Sequence, residues 1–343
     1  MRFSISLAAL ISVSTVACGS NPGPSTTGDE PGPGTSGFNP PAAPAGYTRL
    51  TAKTIGDIGP GADVTHCQYL MAPFDRDMDI AHVGGYQSKF GHHAVAFAYG
   101  GDGSLETGAE VPCMGSEFQV EATPGGASGQ QLSGGTFLGG VGGEGASAQT
   151  LPEGVAFRLK AGQGILLNLH YINTGNNAID GDAVVDIEFV EADPNRKIAA
   201  LFLNLNGAFT VTPRTQTESS TSCVAKSEVK LVMMSNHMHE YGIAARTEVV
   251  RAGTSEVEVL RDDPTWAFEK QFNPDYTMWP ADDPFVLRVG DTLRTSCTWH
   301  NSTSESLTFP REMCIGAGFA LASGDDPTAP VCFQGNWLGR VDQ

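Results

Sequence analysis

The sequence has 343 residues, 42 of them glycine, and its 20 basic and 38 acidic side chains give a formal net charge of −18 at pH 7. A surface this acidic repels polyphosphate backbones and anionic headgroups, so we expect no nucleic-acid partner and no electrostatic docking on a membrane. Val, Ile, Thr, Phe and Tyr cluster in short runs between Gly, Pro, Asn and Asp turns, without a sustained helical period. This composition predicts an all-β fold.

The N-terminus has the pattern of an export signal. Arg2 precedes an apolar run over residues 3–16 that is too short to span a membrane and is followed closely by Cys18. We predict a signal peptide over residues 1–17, similar to bacterial lipoprotein signals in which the cysteine is lipidated after cleavage. Because Thr15 stands where Leu is more usual, ordinary secretion stays open. The expected location is extracytoplasmic, with a lipid anchor to a bacterial membrane (outer membrane or cell surface) as the first interpretation.

The rest of the chain divides into a tether and two predicted domains. Residues 18–46 are mostly Gly, Pro, Ser and Thr and cannot bury enough apolar surface to order themselves, so they predict a flexible linker. The remaining length suits two domains, 47–193 and 194–343, divided where the alternating run 183–190 ends. The Gly-, Ser- and Ala-rich segment 122–150 predicts a long mobile loop.

Three histidines in the first predicted domain suggest one metal site. His92 and His93 follow Gly91, and adjacent residues of a regular strand face opposite sides. Both can reach one ion only where the backbone is irregular, and Gly91 favours a bulge there. His170 lies in another strand-like run. Alternation puts Asn168 on the same face as His170, so the Asn168 side chain could orient the His170 imidazole. A single buried histidine such as His170 is more often a hydrogen-bonded core residue than a ligand.

A second group lies in the later half. His237 and His239 share a face of an extended segment, with Met238 pointing away. Met313 is the candidate third ligand, although a single Met in an apolar run usually fills core space. Imidazoles with one thioether suit copper, which needs ligands for both of its oxidation states, whereas structural zinc favours thiolates. It is the joint order of these residues that indicates two copper sites.

These segments together resemble the copper type II, ascorbate-dependent monooxygenases, the family of peptidylglycine alpha-hydroxylating monooxygenase and dopamine beta-monooxygenase. The resemblance spans most of the chain after residue 60. The matching pieces, in family order, are Gly91-His-His-Ala-Val-Ala-Phe, Leu151-Pro-Glu-Gly-Val-Ala-Phe-Arg-Leu, Leu167-Asn-Leu-His-Tyr, His237-Met-His-Glu-Tyr-Gly, Gly290-Asp-Thr-Leu-Arg-Thr-Ser-Cys and Arg311-Glu-Met-Cys.

The resemblance implies a fold, a ligand set and a reaction. The expected fold is two jelly-roll-like antiparallel β-sandwich domains facing across a cleft. Two coppers per chain are implied: one for electron transfer and one where oxygen and substrate react. The reaction would hydroxylate a C–H bond of a small organic substrate with O2 and ascorbate or a similar one-electron donor. The first copper would be held by His92, His93 and His170, and the second by His237, His239 and Met313.

The cysteines fit an exported protein, because disulfides persist outside the cytosol. Apart from Cys18 there are six, which allow 15 pairings, so the sequence alone does not choose among them. The resemblance implies three bonds: Cys67 to Cys113, Cys223 to Cys332, and Cys297 to Cys314.

The chain also departs from the family pattern. Where the peptide-amidating branch binds its substrate's carboxylate, this sequence has Ser235, Ile315 and Ala317, so peptidylglycine is not the expected substrate. A family cysteine shortly after the histidine pair is missing, with Ala98 and Tyr99 in its place, so we expect at least one family disulfide to be absent.

Two other classes of function stay open at this stage. Met233, Met234 and Met238 beside the histidines suggest an extracytoplasmic copper-binding or copper-handling lipoprotein without turnover. Alternatively, the protein is a non-catalytic sandwich that binds glycans or proteins, with relic histidines. Retention of all six candidate ligands speaks against the relic interpretation.

Overall fold

The computed structural model describes residues 37–100, 105–111, 113, 135–309, 311–323 and 329–339. The predicted signal peptide, Cys18 and most of the predicted linker lie outside the described residues. So does the first part of the predicted loop, residues 122–134.

Within these ranges the regular secondary structure is almost entirely β-strand, which confirms the predicted all-β class. The same residues include one short 3₁₀ helix. No helix among them is long and apolar enough to cross a membrane. The elements are β1 (Thr48–Thr51), β2 (Ile55–Ile58), β3 (Asp63–Met71), β4 (Met78–Gln87), β5 (Gly91–Tyr99), β6 (Ala109–Val111), β7 (Gly135–Gly142), β8 (Gly145–Gln149), β9 (Val155–Leu159), β10 (Gly164–Ile172), β11 (Ile179–Gly181), β12 (Ala183–Glu191), β13 (Lys197–Asn206), β14 (Gln216–Val224), β15 (Val229–His237), β16 (Gly242–Val250), β17 (Val257–Asp263), the 3₁₀ helix (Phe268–Gln271), β18 (Thr277–Met278), β19 (Phe285–Leu287), β20 (Thr292–His300), β21 (Cys314–Leu321), β22 (Val331–Phe333) and β23 (Asn336–Leu338).

The N-terminal half is a sandwich of two sheets. One has the order β6-β3-β10-β5-β7, and the other contains β1, β12, β4, β9 and β8. Alternation along β5 turns Ala94, Ala96 and Ala98 inward, where they pack with the large side chains Leu167 and Leu169 of β10. Pairing small with large side chains lets the two sheets approach closely.

The C-terminal half is a second sandwich, whose sheets are joined covalently. The sheet β14-β20-β16-β17 packs on the strands β13, β21 and β15. The disulfide Cys297–Cys314 connects β20 to β21, and Cys223–Cys332 connects β14 to β22. With Cys67–Cys113 in the first half, the structure forms the three bonds that the resemblance implies.

A continuous sheet joins the two halves. β9 pairs in parallel with β13, so that one 12-stranded sheet runs through both sandwiches. Phe319 of β21 packs against Phe137 and Phe157, at ring-centroid separations of 5.8 and 5.1 Å, and belongs to the same apolar cluster as the N-terminal core. The predicted domain boundary near residue 194 falls in the short connection between β12 and β13, but the halves share a sheet and a core.

The prediction of a mobile loop over residues 122–150 is wrong for its second part, because this part forms β7 and β8. The glycines there serve close packing between strands. A Cβ on Gly139 would lie 2.6 Å from Val83, and one on Gly142 would lie 2.9 Å from the carbonyl oxygen of Phe272. Glycine-rich composition thus marks close backbone approach in this segment, as well as turns.

The connection between the halves is held by a buried carboxylate. Asp79 of β4 is fully buried and accepts hydrogen bonds from Arg158 at 2.7 and 3.0 Å, from Arg196 at 2.6 Å, and from the backbone N–H of Asp193 at 3.1 Å. Because all these partners converge on one side chain, the connecting segment is fixed to the N-terminal sandwich.

Replacing Asp79 with Ala should lower the free energy of unfolding by about 3–5 kcal/mol, because it leaves two partly buried guanidinium groups without their fully buried carboxylate. The measurement is urea unfolding followed by tryptophan fluorescence. As a control, Asp262→Ala removes the surface pair with Arg246, where both side chains are more than two-fifths exposed, and should cost less than about 1 kcal/mol. Equal losses in the two variants would contradict this account of the connection.

Candidate metal centre

A β-bulge brings His92 and His93 to the same region. In the pairing of β5 with β10, His93 lies opposite His170 while Gly91 lies opposite Tyr171, so His92 has no partner residue on β10. The extra residue in the strand rotates one side chain relative to the other. This confirms the irregularity predicted at Gly91.

His92, His93 and His170 form one compact group. Each offers a ring nitrogen such that the three lie within 4.8 Å of one another. The ring of His92 is 4.7 Å from that of His170 and 5.4 Å from that of His93, measured between centroids. These separations suit three ligands that converge on a single ion.

Hydrogen bonds fix which ring nitrogen is free in His93 and in His170. The Nε2–H of His93 donates to the amide oxygen of Asn168 at 3.0 Å, and the Nε2–H of His170 donates to Asp63 at 2.6 Å. In a neutral imidazole the other nitrogen then carries the lone pair. Nδ1 of His93 and Nδ1 of His170 are therefore the nitrogens available to a metal.

The prediction that Asn168 orients His170 is wrong. The register pairs Asn168 with Val95, two residues from His93 on the same strand, and the Asn168 amide bonds to the ring of His93. Asp63, at the start of β3, orients His170 instead, and this hydrogen bond is the first cause of the lowered pKa of Asp63. Sequence reasoning missed Asp63, since its approach depends on the β3–β10 register, in which Thr65 pairs with His170.

His237 and His239 form the second group. His237 is the last residue of β15, and His239 follows in the turn that leads to β16. Their rings are perpendicular, with centroids 5.2 Å apart. Met238 between them is fully buried in a separate core cluster, so it points away as predicted.

His239 presents a buried nitrogen without a protein partner. Its Nδ1–H donates to the carbonyl oxygen of Arg311 at 3.2 Å, which leaves the lone pair on Nε2. That Nε2 is buried and has no hydrogen-bond partner. An unpaired buried acceptor is costly in a folded protein unless another group, such as a metal ion, occupies it.

Glu312 holds the turn that carries His239. Its buried carboxylate accepts the backbone N–H of Tyr241 at 2.8 Å and of His239 at 3.3 Å, and the indole N–H of Trp299 at 3.0 Å. Burial raises the pKa of Glu312 to about 7, against the effect of these donors. Sequence reasoning assigned Glu312 no role, although an acidic residue at the start of an apolar strand was a usable signal.

Met313 lies directly before β21, next to Cys314 and its disulfide. It is partly buried against the apolar cluster that includes Ile315, and Ile315 pairs with His237 across the sheet. Directly paired residues share a face, and so do residues two apart on a strand. Met313 therefore reaches the sheet face on which His237 lies.

The two histidine groups are in contact with each other. The ring of His92 is 5.0 Å from that of His239 and 5.6 Å from that of Phe272, measured between centroids. The expectation of a cleft between the groups is thus wrong at this point, because the shared sheet and core bring the two halves together. Five histidines form one continuous cluster.

Burial keeps the imidazoles of His92, His93, His237 and His239 neutral. It lowers the pKa of His93 and His237 to about 3 and that of His239 to about 4, and holds the pKa of His92 well below its ordinary value. The neighbouring rings add to the effect because two protonated imidazoles repel each other. Neutral imidazole is the form that binds a metal ion.

The metal-free protein should therefore lose stability as the pH falls through about 6.5. Unfolded imidazoles take up protons there, whereas the folded rings of His93, His237 and His239 stay neutral down to a pH of about 3 to 4. The measurement is the free energy of urea unfolding of chelator-treated protein between about pH 5 and 7. Most carboxyl groups titrate below this range, so the change in stability there reports mainly on the histidines. A free energy of unfolding that stays constant across this range would contradict the assignment of buried neutral rings.

The donor set fits copper. Three nitrogens with free lone pairs, further imidazoles and one thioether form a soft, neutral ligand set without thiolates, since all six described cysteines are in disulfides.

Replacing Asp63 with Ala should weaken copper binding by the His92 group about 10- to 100-fold, because His170 loses the acceptor that fixes its ring. Competition with a Cu(I) chelator measures the affinity. Asp63→Asn keeps an acceptor oxygen and should retain most of the copper affinity. Asp75→Ala, at an exposed position, serves as the control. Unchanged affinity in Asp63→Ala would show that the hydrogen bond does not support the site.

The C-terminal half is similar in sequence to a known protein family. Residues 197–316 match the sequence model of the family described as copper type II ascorbate-dependent monooxygenase, C-terminal domain, and the matched range contains His237, His239 and Met313. No curated protein matches the chain.

Among solved structures, the major capsid protein P2 from bacteriophage PM2 is similar over 81% of this chain and 99% of that chain, with 10% identity and a TM-score of 0.36. PBCV-1 VP54, fitted into a reconstruction of the virophage Sputnik, is similar over 84% and 97%, with 8% identity and a TM-score of 0.31. Likenesses this weak carry no functional argument. At the level of a family, residues 197–316 are similar to the C-terminal domain of the copper type II ascorbate-dependent monooxygenases.

Proposed function

We propose that this protein is a copper-dependent monooxygenase that hydroxylates a C–H bond of a small organic substrate, using O2 and ascorbate or a similar one-electron donor. The observation that carries the proposal is the buried, unpartnered Nε2 of His239, which lies inside the family-matched segment and in contact with a second group of histidines.

We assign two coppers to this centre. His92, His93 and His170 would hold the copper that transfers electrons, and His237, His239 and Met313 the copper at which substrate reacts. When bound, copper supplies reversible one-electron chemistry and the activation of O2. The domain assignment follows the ligands: residues 47–193 would form the electron-transfer half and residues 194–343 the oxygen- and substrate-binding half.

The chain's own residues orient the ligands. Asn168 and Asp63 fix the tautomers of His93 and His170, so that Nδ1 of each ring carries the lone pair. Glu312 fixes the backbone at His239, while the carbonyl of Arg311 fixes the ring itself. Ligands held in this way need little reorganisation when the charge of the metal changes.

His92 would provide a short path between the two sites. It belongs to the first ligand group, and its ring contacts the ring of His239 in the second. An electron passing from one group to the other then crosses one ring contact rather than open solvent. Phe272 also packs edge-on against the ring of His92.

The copper-handling alternative loses the feature that suggested it. Met233, Met234 and Met238 are all buried, and each packs in a different core cluster. A Cu(I) carrier needs accessible thioethers that converge on the ion, whereas these three fill apolar space.

The substrate is proposed to lack a carboxylate at the position that the peptide-amidating branch recognises. Ser235 is buried there, and its hydroxyl donates to the carbonyl oxygen of Ala317 at 3.0 Å. Ile315 is also buried. These side chains offer no cation to an anionic group, so peptidylglycine is not the substrate we propose.

The location is part of the proposal. We propose export, with lipidation of Cys18 and a flexible linker that holds the catalytic part away from a bacterial membrane, or secretion if Cys18 is not modified. The partners would then be a small-molecule substrate and O2, with the membrane reached only through the lipid, and with no nucleic acid.

Copper content tests the proposal most simply. After reconstitution and dialysis, wild-type protein should retain two coppers per chain, and His170→Ala and Met313→Ala about one each, because each variant removes a ligand of a different site. The control is His82→Ala, an exposed histidine paired with Glu188 on the other sheet of the N-terminal sandwich, which should retain two. One copper or none in the wild type would overturn the two-site assignment. With two coppers bound, ascorbate-driven O2 uptake that no organic substrate stimulates would favour copper handling instead.

A further inference from the structure

A cavity lies on the outer surface of the N-terminal sandwich, away from the histidines. It has a volume of about 380 Å³, within the range of about 300–1,000 Å³ typical of small-molecule sites. It lies over β4, between β8 on one side and β12 and the segment before β1 on the other. Alternation turns Val83 of β4 into the core, so its neighbours His82 and Gly84 face the cavity.

Small residues form the floor of this cavity. Gly84 lies opposite Ala148 of β8, and the next outward-facing position on β8 is Ala146. On the side of β12, Gly84 lies opposite Asp186. Without large side chains at these positions, the sheet surface itself is open to a flat molecule.

Two tyrosines line the cavity. Tyr86 follows Gly84 by two residues on β4, and Tyr47 comes from the segment before β1. Glu188 and Asp186 contribute to the raised pKa of Tyr47, after burial, so its hydroxyl lies near that row of carboxylates. Aromatic faces attract polarised C–H groups, while the phenol oxygens remain available for hydrogen bonds.

The charged groups around the cavity are already paired. Arg49 binds Asp186 through two parallel hydrogen bonds of 2.7 Å, and His82 binds Glu188 at 2.5 Å. No carboxylate or guanidinium among these four is left to attract a charged ligand. Their remaining lone pairs and N–H groups suit the hydroxyl groups of a neutral molecule.

We propose that this cavity is a binding site for a neutral saccharide. A pyranose ring has one apolar face of C–H groups and an edge of hydroxyl groups. Its apolar face would lie between Tyr47 and Tyr86 on the small-residue floor, and its hydroxyl groups would meet the paired side chains of β12 and β4. An aromatic, largely apolar wall with a few fixed polar groups is the usual composition of such sites.

This site is separate from the candidate metal centre. The cavity lies on the sheet that contains β4, β8 and β12, whereas His92, His93 and His170 lie on the opposite sheet, in β5 and β10. The apolar core of the sandwich lies between them. The protein would thus attach to a glycan through one surface while the histidine cluster stays free.

The test is saturation-transfer NMR and calorimetry on the full chain with methyl glycosides of glucose, galactose, mannose and N-acetylglucosamine, and with glucosamine and glucuronate as charged comparisons. At least one should bind in the millimolar range, and Tyr86→Ala should weaken it by about tenfold or more, as expected for loss of an aromatic contact worth about 1.4 kcal/mol. Ala148→Leu fills the floor from an exposed position and should abolish binding without affecting the fold. Phe268→Ala removes an exposed aromatic ring from the other half and should leave binding unchanged.

Three results would overturn the inference. The first is binding of none of the four glycosides. The second is tighter binding of glucosamine or glucuronate than of the neutral sugars, since this would point to an unpaired charge in the cavity. The third is binding that Ala148→Leu leaves intact. Copper content should be the same in all variants, because the cavity residues contribute nothing to the histidine cluster.

Discussion

The contact between the rings of His92 and His239 is the constraint on which the site depends. Each ring comes from a different half, and their centroids are 5.0 Å apart. The contact requires the bulge at His92, which turns that ring out of the regular strand, and the turn that Glu312 holds at His239. Burial and crowding then keep the imidazoles of His92 and His239 neutral, so the geometry that joins the two halves also prepares their nitrogens for a metal.

The rest of the architecture keeps that contact in place. The parallel pairing of β9 with β13 merges the sheets of the two sandwiches, and Asp79 fixes the connecting segment. Phe272 packs so closely on Gly142 and Gly143 that neither position has room for a Cβ. A hinge between independent domains would break several of these interactions at once, so this structure favours a rigid pair of sandwiches over a swinging one.

Patterns in single segments were predictable from the sequence, whereas relations between distant strands were not. Gly91 before two adjacent histidines indicated a bulge. Alternation correctly predicted that the Met238 side chain points away from His237 and His239. The orientation of His170 by Asp63 depends on the register of β3 against β10, which no local pattern specifies. The contact of the two histidine groups depends on how β9 and β13 pair, which local sequence patterns also do not specify. The glycine-rich β7 and β8 were misread as loop because glycine marks both turns and close backbone packing.

Electron paramagnetic resonance of the fully copper-loaded, oxidised protein tests the central claim most directly, since it reports whether the two groups lie close together. The account predicts that the two Cu(II) ions interact magnetically, with a broadened spectrum and a half-field signal, and that His170→Ala, which keeps the second site, gives the sharp spectrum of one isolated ion. Two sharp, independent Cu(II) signals in the wild type would contradict it, because they would place the two groups too far apart for His92 to join them.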